Sequence, residues 1–340
     1  MVKRSPVLAV VLNWNRADLT CRCVSHVLAQ RGADADLLVI DNGSTDDSVG
    51  TIRASGLDVA VIALDRNCGF ATGMNVGLQH ALDHGYEFVW LLNNDAFADP
   101  HCLASLLERM RADPRLGMLT PRILWSDGRE QHVGGSVDWS TAALQVDIAS
   151  AMETPRTRGS WLTGTAPLLR VSVIGGVGLF EPDFFAYWED VDLSVRITAR
   201  DLTIAAEPTA NVTHLGSAST GGYDSPLASF LMTRNAWLFL QRNTLPRNRR
   251  AHWLRYMAAM LARAAEYEQR GMASTVVTAV VSGVSAARKN RFGPPPGRPE
   301  PSHLERILFS HPYRAAQYAR RVADVLDPTS AVEPIGPCPC

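Results

Sequence analysis

Short apolar runs rich in β-branched residues recur along the first third of the chain, and each gives way to a polar cluster and then to helical spacing. Val7–Leu12 is the first run. Its consecutive positions are all apolar, as expected of a strand buried on both faces of a parallel sheet. Asp18 to Gln30 follows, with Leu19, Val24, Val27 and Leu28 on one helical face. The alternation continues with strands at Leu37–Ile40, Val59–Leu64 and Phe88–Leu92. Helices are expected at Ser48–Ala54, Phe70–His84 and Pro100–Ala112, where Pro100 suits a first turn. Strands alternating with helices predict an α/β fold, a mostly parallel sheet with helices on both faces.

Ligands on such sheets bind beyond the carboxyl ends of the strands. Three of those ends carry polar clusters here: Asn13-Trp-Asn15, Asp41-Asn42 and Asn93-Asn94-Asp95. Any one could be an ordinary loop, and their convergence on one edge is the first functional signal. Beyond residue 115 the pattern changes. Leu116–Leu124 reads as a strand, and residues 126–160 as a polar hairpin or loop. Short elements flank Thr163–Arg170 and Gly175-Gly176, and Asp190–Arg200 has helical spacing. Ile204–Ala206 and Val212–His214 read as two short strands. Ser229–Gln241, His252–Tyr267 and Ala273–Ala287 read as amphipathic helices. A proline- and glycine-rich break at 293–299 precedes a helical stretch at His303–Asp324. The expected organisation is a domain at 1–245 (donor half about 1–115, acceptor half about 116–245), a helical region at 246–326, and a disordered tail at 327–340.

With 46% hydrophobic and 20% charged residues the chain can bury a substantial core. No run of 18 apolar residues predicts a transmembrane helix, and no leader peptide is expected at the N-terminus. The six scattered cysteines form no CxxC pair, which favours reduced thiols in a cytoplasmic protein over zinc binding or disulfides. The net charge of −1 hides an asymmetry: Arg234 to Arg321 holds 16 basic and 4 acidic residues. Such a segment fits peripheral contact with an anionic membrane face, a homodimer interface, or a solvated arginine-rich surface. Nucleic acid is not an expected partner.

The chemistry-bearing residues come in sequence order: Val11-Leu-Asn-Trp-Asn15, Val39-Ile-Asp-Asn-Gly-Ser-Thr-Asp-Asp-Ser48, Asn67-Cys-Gly-Phe-Ala-Thr-Gly-Met-Asn75, Leu91-Leu-Asn-Asn-Asp95 and Tyr187-Trp-Glu-Asp-Val-Asp-Leu193. Glycines 69 and 73 would let the backbone approach a ligand at a helix N-terminus. Asp190 and Asp192 suit the first turn of a helix, where carboxylates complement the dipole. A carboxylate in that position can also take a proton from an attacking hydroxyl.

Together, over roughly residues 7–245, these elements resemble family 2 glycosyltransferases, and within them the rhamnosyltransferase-like branch. The resemblance implies an A-type glycosyltransferase fold, a nucleotide-diphospho-sugar transferase with a Rossmann-like sheet, here with a C-terminal helical extension. It implies transfer with inversion from a UDP- or dTDP-sugar, such as rhamnose or another hexose, to a saccharide, lipid-linked or small-molecule acceptor. Asp190 matches the family's base. Asp41 matches the residue that contacts the nucleobase, and Asn13, Asn15, Asn67, Gly69, Asn75, Asn93 and Asn94 fall on donor-binding positions. Asp95 and His214 match ligands of a divalent metal, Mg²⁺ or Mn²⁺, while Trp188, Glu189 and Asp192 lie where the acceptor would bind. The chain departs from the family's Asp-x-Asp metal motif in having Asn93 at its first position. That departure keeps open a non-catalytic nucleotide-sugar-binding relative. A sugar nucleotidyltransferase is the other alternative, although Asn13-Trp-Asn15 stands where its glycine-rich basic signature would be.

Overall fold

The computed structural model describes residues 5–216, 225–244 and 249–296. The helix expected at His303–Asp324 and the tail lie outside the described residues. The chain divides into two compact units. One comprises 1–136, 146–182 and 189–218, the other 137–145, 183–188 and 219–340.

The first unit opens with the expected alternation: β1 (Val7–Asn13), α1 (Ala17–Leu28), β2 (Asp36–Asp41), α2 (Ser48–Ala54), β3 (Ala60–Ala63), α3 (Gly69–Asp83) and β4 (Phe88–Asn93). It continues with β5 (Ala96–Ala98), α4 (Cys102–Ala112) and β6 (Leu116–Leu124). The chain then forms β7 (Gly134–Asp138), β8 (Ala143–Asp147), β9 (Ser160–Leu162), β10 (Leu168–Arg170) and α5 (Val171–Val177), followed by α6 (Glu189–Thr198) and β11 (Thr203–His214). Eight strands form one sheet in the order β3-β2-β1-β4-β10-β6-β11-β5. β1, β2, β3 and β4 pair in parallel, as do β6 and β11, whereas β10 runs antiparallel to both of its neighbours and β5 antiparallel to β11. The mostly parallel α/β expectation therefore holds.

The apolar runs form the core, with Val10, Val11, Val39, Ile40, Leu91 and Leu92 fully buried. Helix-on-strand contact is close: a Cβ on Gly73 would stand 2.6 Å from Leu12 Cδ1, and one on Gly77 2.4 Å from Val10 Cγ1. Gly73 thus serves the packing of α3 on β1. β11 corrects the expectation of two short strands. It is one twelve-residue strand whose register with β6 shifts between Glu207 and Asn211. Pro208 has no N–H to give, and the Glu207 carboxylate accepts from the Thr209 N–H and hydroxyl, so the strand bulges without ending.

The second unit contains α7 (Pro226–Asn243), α8 (Arg249–Gln269) and α9 (Ser274–Arg288). Gly283 of α9 lies against Thr233 and the Phe230 carbonyl of α7, where a Cβ would be under 3.0 Å from both. Within this unit Arg234 and Asn235, both buried, hold the segment before α6. Arg234 donates to the carbonyls of Gly293 and Phe184, at 2.7 and 3.1 Å. Burial lowers its pKa to about 10, still charged at neutral pH. The Asn235 amide lies 2.8 Å from each of the Phe184, Ala186 and Tyr187 carbonyls. Phe185, Tyr187 and Trp188 all have positive φ, a conformation costly for residues with a Cβ, so this clamp maintains a strained segment.

Candidate active site

The carboxyl ends of β1, β2 and β4 meet as predicted, joined by hydrogen bonds the sequence did not announce. Asn13, fully buried, donates to Asp41 Oδ1 at 2.6 Å and to Ser44 Oγ at 3.1 Å. Its own carbonyl accepts from Thr20 Oγ1 at 2.6 Å, and Thr20 in turn accepts from Asn94 Nδ2 at 3.2 Å. Asp41 also receives the Ser44 hydroxyl at 2.6 Å on Oδ1 and the Ser44 N–H at 3.0 Å on Oδ2. Oδ2 therefore retains acceptor capacity. Asn15, at φ 54, accepts the Thr45 N–H at 2.7 Å and closes the loop after β2.

The turn before α3 is held by Asn42, which donates to Gly69 O at 3.1 Å and Asn67 Oδ1 at 3.2 Å and accepts from Cys68 N at 3.0 Å. Asn67 Oδ1 also caps the Gly69 N–H at 2.8 Å, and Gly69 adopts φ 85. Asn67 and Gly69 thus lie beside Asp41's loop. Asn75 does not join them. Its amide both donates to and accepts from the Phe180 backbone, at 2.8 and 2.9 Å, so it fastens α3 to the segment after α5.

β5, a strand the sequence reading missed, pairs with the end of β11 and sets His214 opposite Ala96. His214 Nε2 stands 3.3 Å from Asp95 Oδ1. Gln131 fixes the imidazole from behind. Its amide nitrogen donates to the His214 carbonyl at 2.8 Å, which turns its oxygen toward Nδ1 at 3.1 Å. Nδ1 then carries the proton, and Nε2 presents a lone pair beside the carboxylate. Two acceptors at that distance suit a cation, and an imidazole with a carboxylate suits Mn²⁺ or Mg²⁺. Asn93 adds a buried amide oxygen that has no hydrogen-bond partner. Among the described residues no three His, Cys, Asp or Glu side chains group as a metal site, so a bound metal would draw further oxygens from the ligand. The thiols of Cys21, Cys23, Cys68 and Cys102 are free.

Glu189 and Asp190 open α6. Asp190 is partly exposed; its Oδ2 accepts from the Gly164 N–H at 2.8 Å and its Oδ1 from the Val191 N–H at 2.8 Å. Burial raises its pKa, and these two donors pull it back in part. Glu189 is buried, its Oε2 without a hydrogen-bond partner, and burial together with the Asp190 charge holds its pKa well above the ordinary value. The two carboxyls titrate as a pair, with Glu189 the one pushed up further by the charge beside it.

Two residues assigned to acceptor binding are occupied otherwise. Asp192 is fully buried and pairs with Arg196 at 2.8 Å, and that guanidinium also donates to the carbonyls of Val177, Gly178 and Leu179. Trp188 is buried in the second unit, where its N–H donates to Met232 O at 3.1 Å and its ring centroid lies 5.1 Å from that of Phe239. The Asp192 carboxylate is thus engaged by Arg196, and the Trp188 indole by core packing. Thr20, Asn42, Gln131 and Gly164 are the residues sequence reasoning missed.

Residues 9–148 match the family model for glycosyl transferase family 2. Poly-beta-1,6-N-acetyl-D-glucosamine synthase of Staphylococcus aureus (strain MSSA476) is 25% identical over 213 residues, 62% of this chain and 50% of that protein. N-acetylglucosaminyl-diphospho-decaprenol L-rhamnosyltransferase of Mycobacterium tuberculosis (strain CDC 1551 / Oshkosh) is 29% identical over 212 residues, 54% of this chain and 68% of that one. The chain thus spans about half the length of the first of these curated relatives. Among solved structures, a mannosyltransferase from Pyrobaculum calidifontis in complex with GDP-Man and Mn²⁺ superposes with a TM-score of 0.52 at 16% identity, covering 96% of this chain and 89% of that one. TarS of S. aureus does so with a TM-score of 0.55 at 13% identity, over 94% of this chain and 55% of that one. With the motifs ordered along one sheet edge, these likenesses show that the chain has the A-type glycosyltransferase fold, and that residues 9–148 are similar to glycosyl transferase family 2.

Proposed function

We propose that the chain transfers a sugar with inversion from a nucleoside-diphosphate sugar to an acceptor hydroxyl. The observation that carries this reading is Asp190: a partly exposed carboxylate at the start of α6, fixed by two N–H donors, with the buried Glu189 carboxyl beside it. Asp190 takes the acceptor proton as the hydroxyl oxygen bonds to the anomeric carbon. The bond from that carbon to the diphosphate oxygen breaks, and the nucleoside diphosphate leaves with the electron pair. Asp95 and His214 would hold a divalent metal, with Asn93 oxygen beside them, and the metal would neutralise the leaving diphosphate. Asp41 offers Oδ2 to a nucleobase imide, and Asn13, Asn15, Asn67, Gly69 and Asn94 shape that pocket around it. Glu189, buried with an unpartnered oxygen, is suited to hold an acceptor hydroxyl.

The names of the relatives support transfer of a sugar such as N-acetylglucosamine or rhamnose to a saccharide or lipid-linked acceptor. Among the described residues no helix is long and apolar enough to cross a membrane. The arginines of α8, among them Arg249, Arg250 and Arg255, would place a lipid-linked acceptor by peripheral contact with anionic lipid; a homodimer through the same helix is the competing use. A non-catalytic sugar-nucleotide binder is the second reading, favoured by Asn93 alone. Assay of Asp190→Asn with UDP-N-acetylglucosamine and dTDP-rhamnose decides between them. Transfer falls at least a hundredfold while nucleotide affinity stays unchanged if Asp190 is the base. Undiminished transfer by the variant would refute the assignment.

A further inference from the structure

We propose that Gly164 is a positioning residue for the base, and that the Thr163-Gly164-Thr165 turn sets Asp190 at a fixed place relative to the Asn93-Asn94-Asp95 motif. This inference rests on the reading of Asp190 as base. Three connections meet in the turn. The Gly164 N–H donates to Asp190 Oδ2 at 2.8 Å. The Thr165 carbonyl accepts the Asn93 N–H at 2.9 Å, which ties the same three residues to the end of β4. The Thr163 N–H donates to Val133 O at 2.9 Å, and the hydroxyls of Thr163 and Thr165 lie 3.0 Å apart, so the turn cannot swing without breaking its own bonds. One residue earlier, the Leu162 N–H donates to Ser194 Oγ at 3.1 Å, and that hydroxyl donates to Asp190 O at 2.7 Å. The base is therefore held at its backbone and at its carboxylate by one continuous stretch of chain.

Glycine is suited here because of what surrounds it. A Cβ at 164 would come within 3.4 Å of Asp190 Cβ and 3.7 Å of Phe70 Cε1. Phe70 belongs to the Asn67–Asn75 motif, so Gly164 sits where the third, fourth and fifth motifs come together. These distances are ordinary contacts, so alanine fits and keeps the N–H. What the site needs from residue 164 is the donor. Of the two bonds on the Asp190 carboxylate, the Val191 one comes from its own helix and turns with it, whereas the Gly164 one comes from outside and fixes direction. Removing it frees the carboxyl group to rotate and withdraws a bond that favours the ionised form. Glu189 is the titratable group beside Asp190, and burial with the Asp190 charge raises its pKa.

The test replaces residue 164 in the full chain by glycolate, so that an ester oxygen stands in place of the N–H. Gly164→Ala is the control that keeps the donor. The Asp190 carboxyl carbon is titrated by ¹³C NMR, its resonance assigned by its loss in Asp190→Asn. UDP and dTDP affinities and thermal midpoints report the fold. The expected result is an Asp190 midpoint raised by about one pH unit in the ester variant and a turnover of UDP-N-acetylglucosamine or dTDP-rhamnose lowered about tenfold. Nucleotide affinity stays unchanged, and the alanine variant, which keeps the N–H, keeps the parent's Asp190 midpoint. An unchanged Asp190 midpoint in the folded ester variant overturns the proposal. Should Asp190→Asn keep full transfer while the ester still moves the midpoint, the base assignment fails and the positioning contact stands.

Discussion

Thr20 Oγ1 donates to Asn13 Oδ1 at 2.6 Å, inside the sheet edge and sealed from solvent. Because Thr20 also accepts from Asn94, and Asn13 donates to Asp41, one side chain on α1 links Asp41 of β2 to the Asn93-Asn94-Asp95 motif at the end of β4. Thr20→Val has the same shape and breaks both bonds. It leaves a buried amide oxygen unpaired, at a cost of about 1–3 kcal/mol in urea unfolding. Affinity for UDP or dTDP drops severalfold at the same time, and Thr20→Ser restores both. A valine variant as stable as the parent would show that the network does not matter.

Gln131 should matter to the metal without touching it. Gln131→Leu removes the partner that holds His214 in the tautomer with a free Nε2. Losses of such supporting bonds weaken metal binding about 10- to 100-fold. Titration of Mn²⁺ by EPR in the presence of UDP measures this directly. His214→Ala sets the limit, and equal Mn²⁺ affinity in Gln131→Leu would exclude the supporting role.

The pH dependence follows from the two carboxyls of α6. Burial raises the Asp190 pKa, so the base is still protonated at pH values where an ordinary aspartate is ionised. The acid limb of kcat/KM should therefore rise through a pKa above about 3.9, and Asp190→Asn abolishes it. Glu189 acts on stability. Its raised pKa means that the folded state keeps a proton the unfolded chain has lost, so stability declines as pH rises from about 4.3 through the folded-state value. Glu189→Gln should flatten that decline and be more stable than the parent at pH 8. A parallel pair of stability curves, measured by urea unfolding from pH 4 to 8, would contradict this.

In the second unit, Asn235→Ala strips the amide from three carbonyls that bound a strained segment. A loss of about 3 kcal/mol is expected, visible as a lowered Tm, whereas exposed changes such as Arg270→Ala should shift Tm little.

Much of the first unit was legible because its strands are solid apolar runs and its helices are amphipathic, both strong periodic signals. β1, β2, β4 and α1, α3, α4 fall where the spacing puts them. β5 and β9 escaped because three residues carry no period, and β11 was read as two short strands because the bulge around Pro208 interrupts its apolar pattern. At the site, Asp41, Asp95 and His214 were visible as polar residues at strand ends. Thr20 was not, since a threonine on the buried face of a helix reads as filling. Asp192 and Trp188 misled because proximity in sequence to Asp190 says nothing of direction. On a helix Asp192 meets Arg196 one turn on, and Trp188 precedes the helix in a segment with left-handed backbone.

The reversed strand β10 has a consequence for how this architecture tolerates change. A parallel strand delivers its exit to the ligand edge and leaves the following loop to vary. β10 delivers its entrance instead, four residues after Gly164, with Leu168 paired to Trp90 and the Thr165 carbonyl on Asn93. The 165–167 connection therefore works as a ruler between the Asn93-Asn94-Asp95 motif and Asp190. One residue inserted or deleted there would displace Gly164 by about 3.3 Å and reverse which side chains face the cleft. Length variation among chains built this way is expected to spare that stretch and to collect where strands leave the edge.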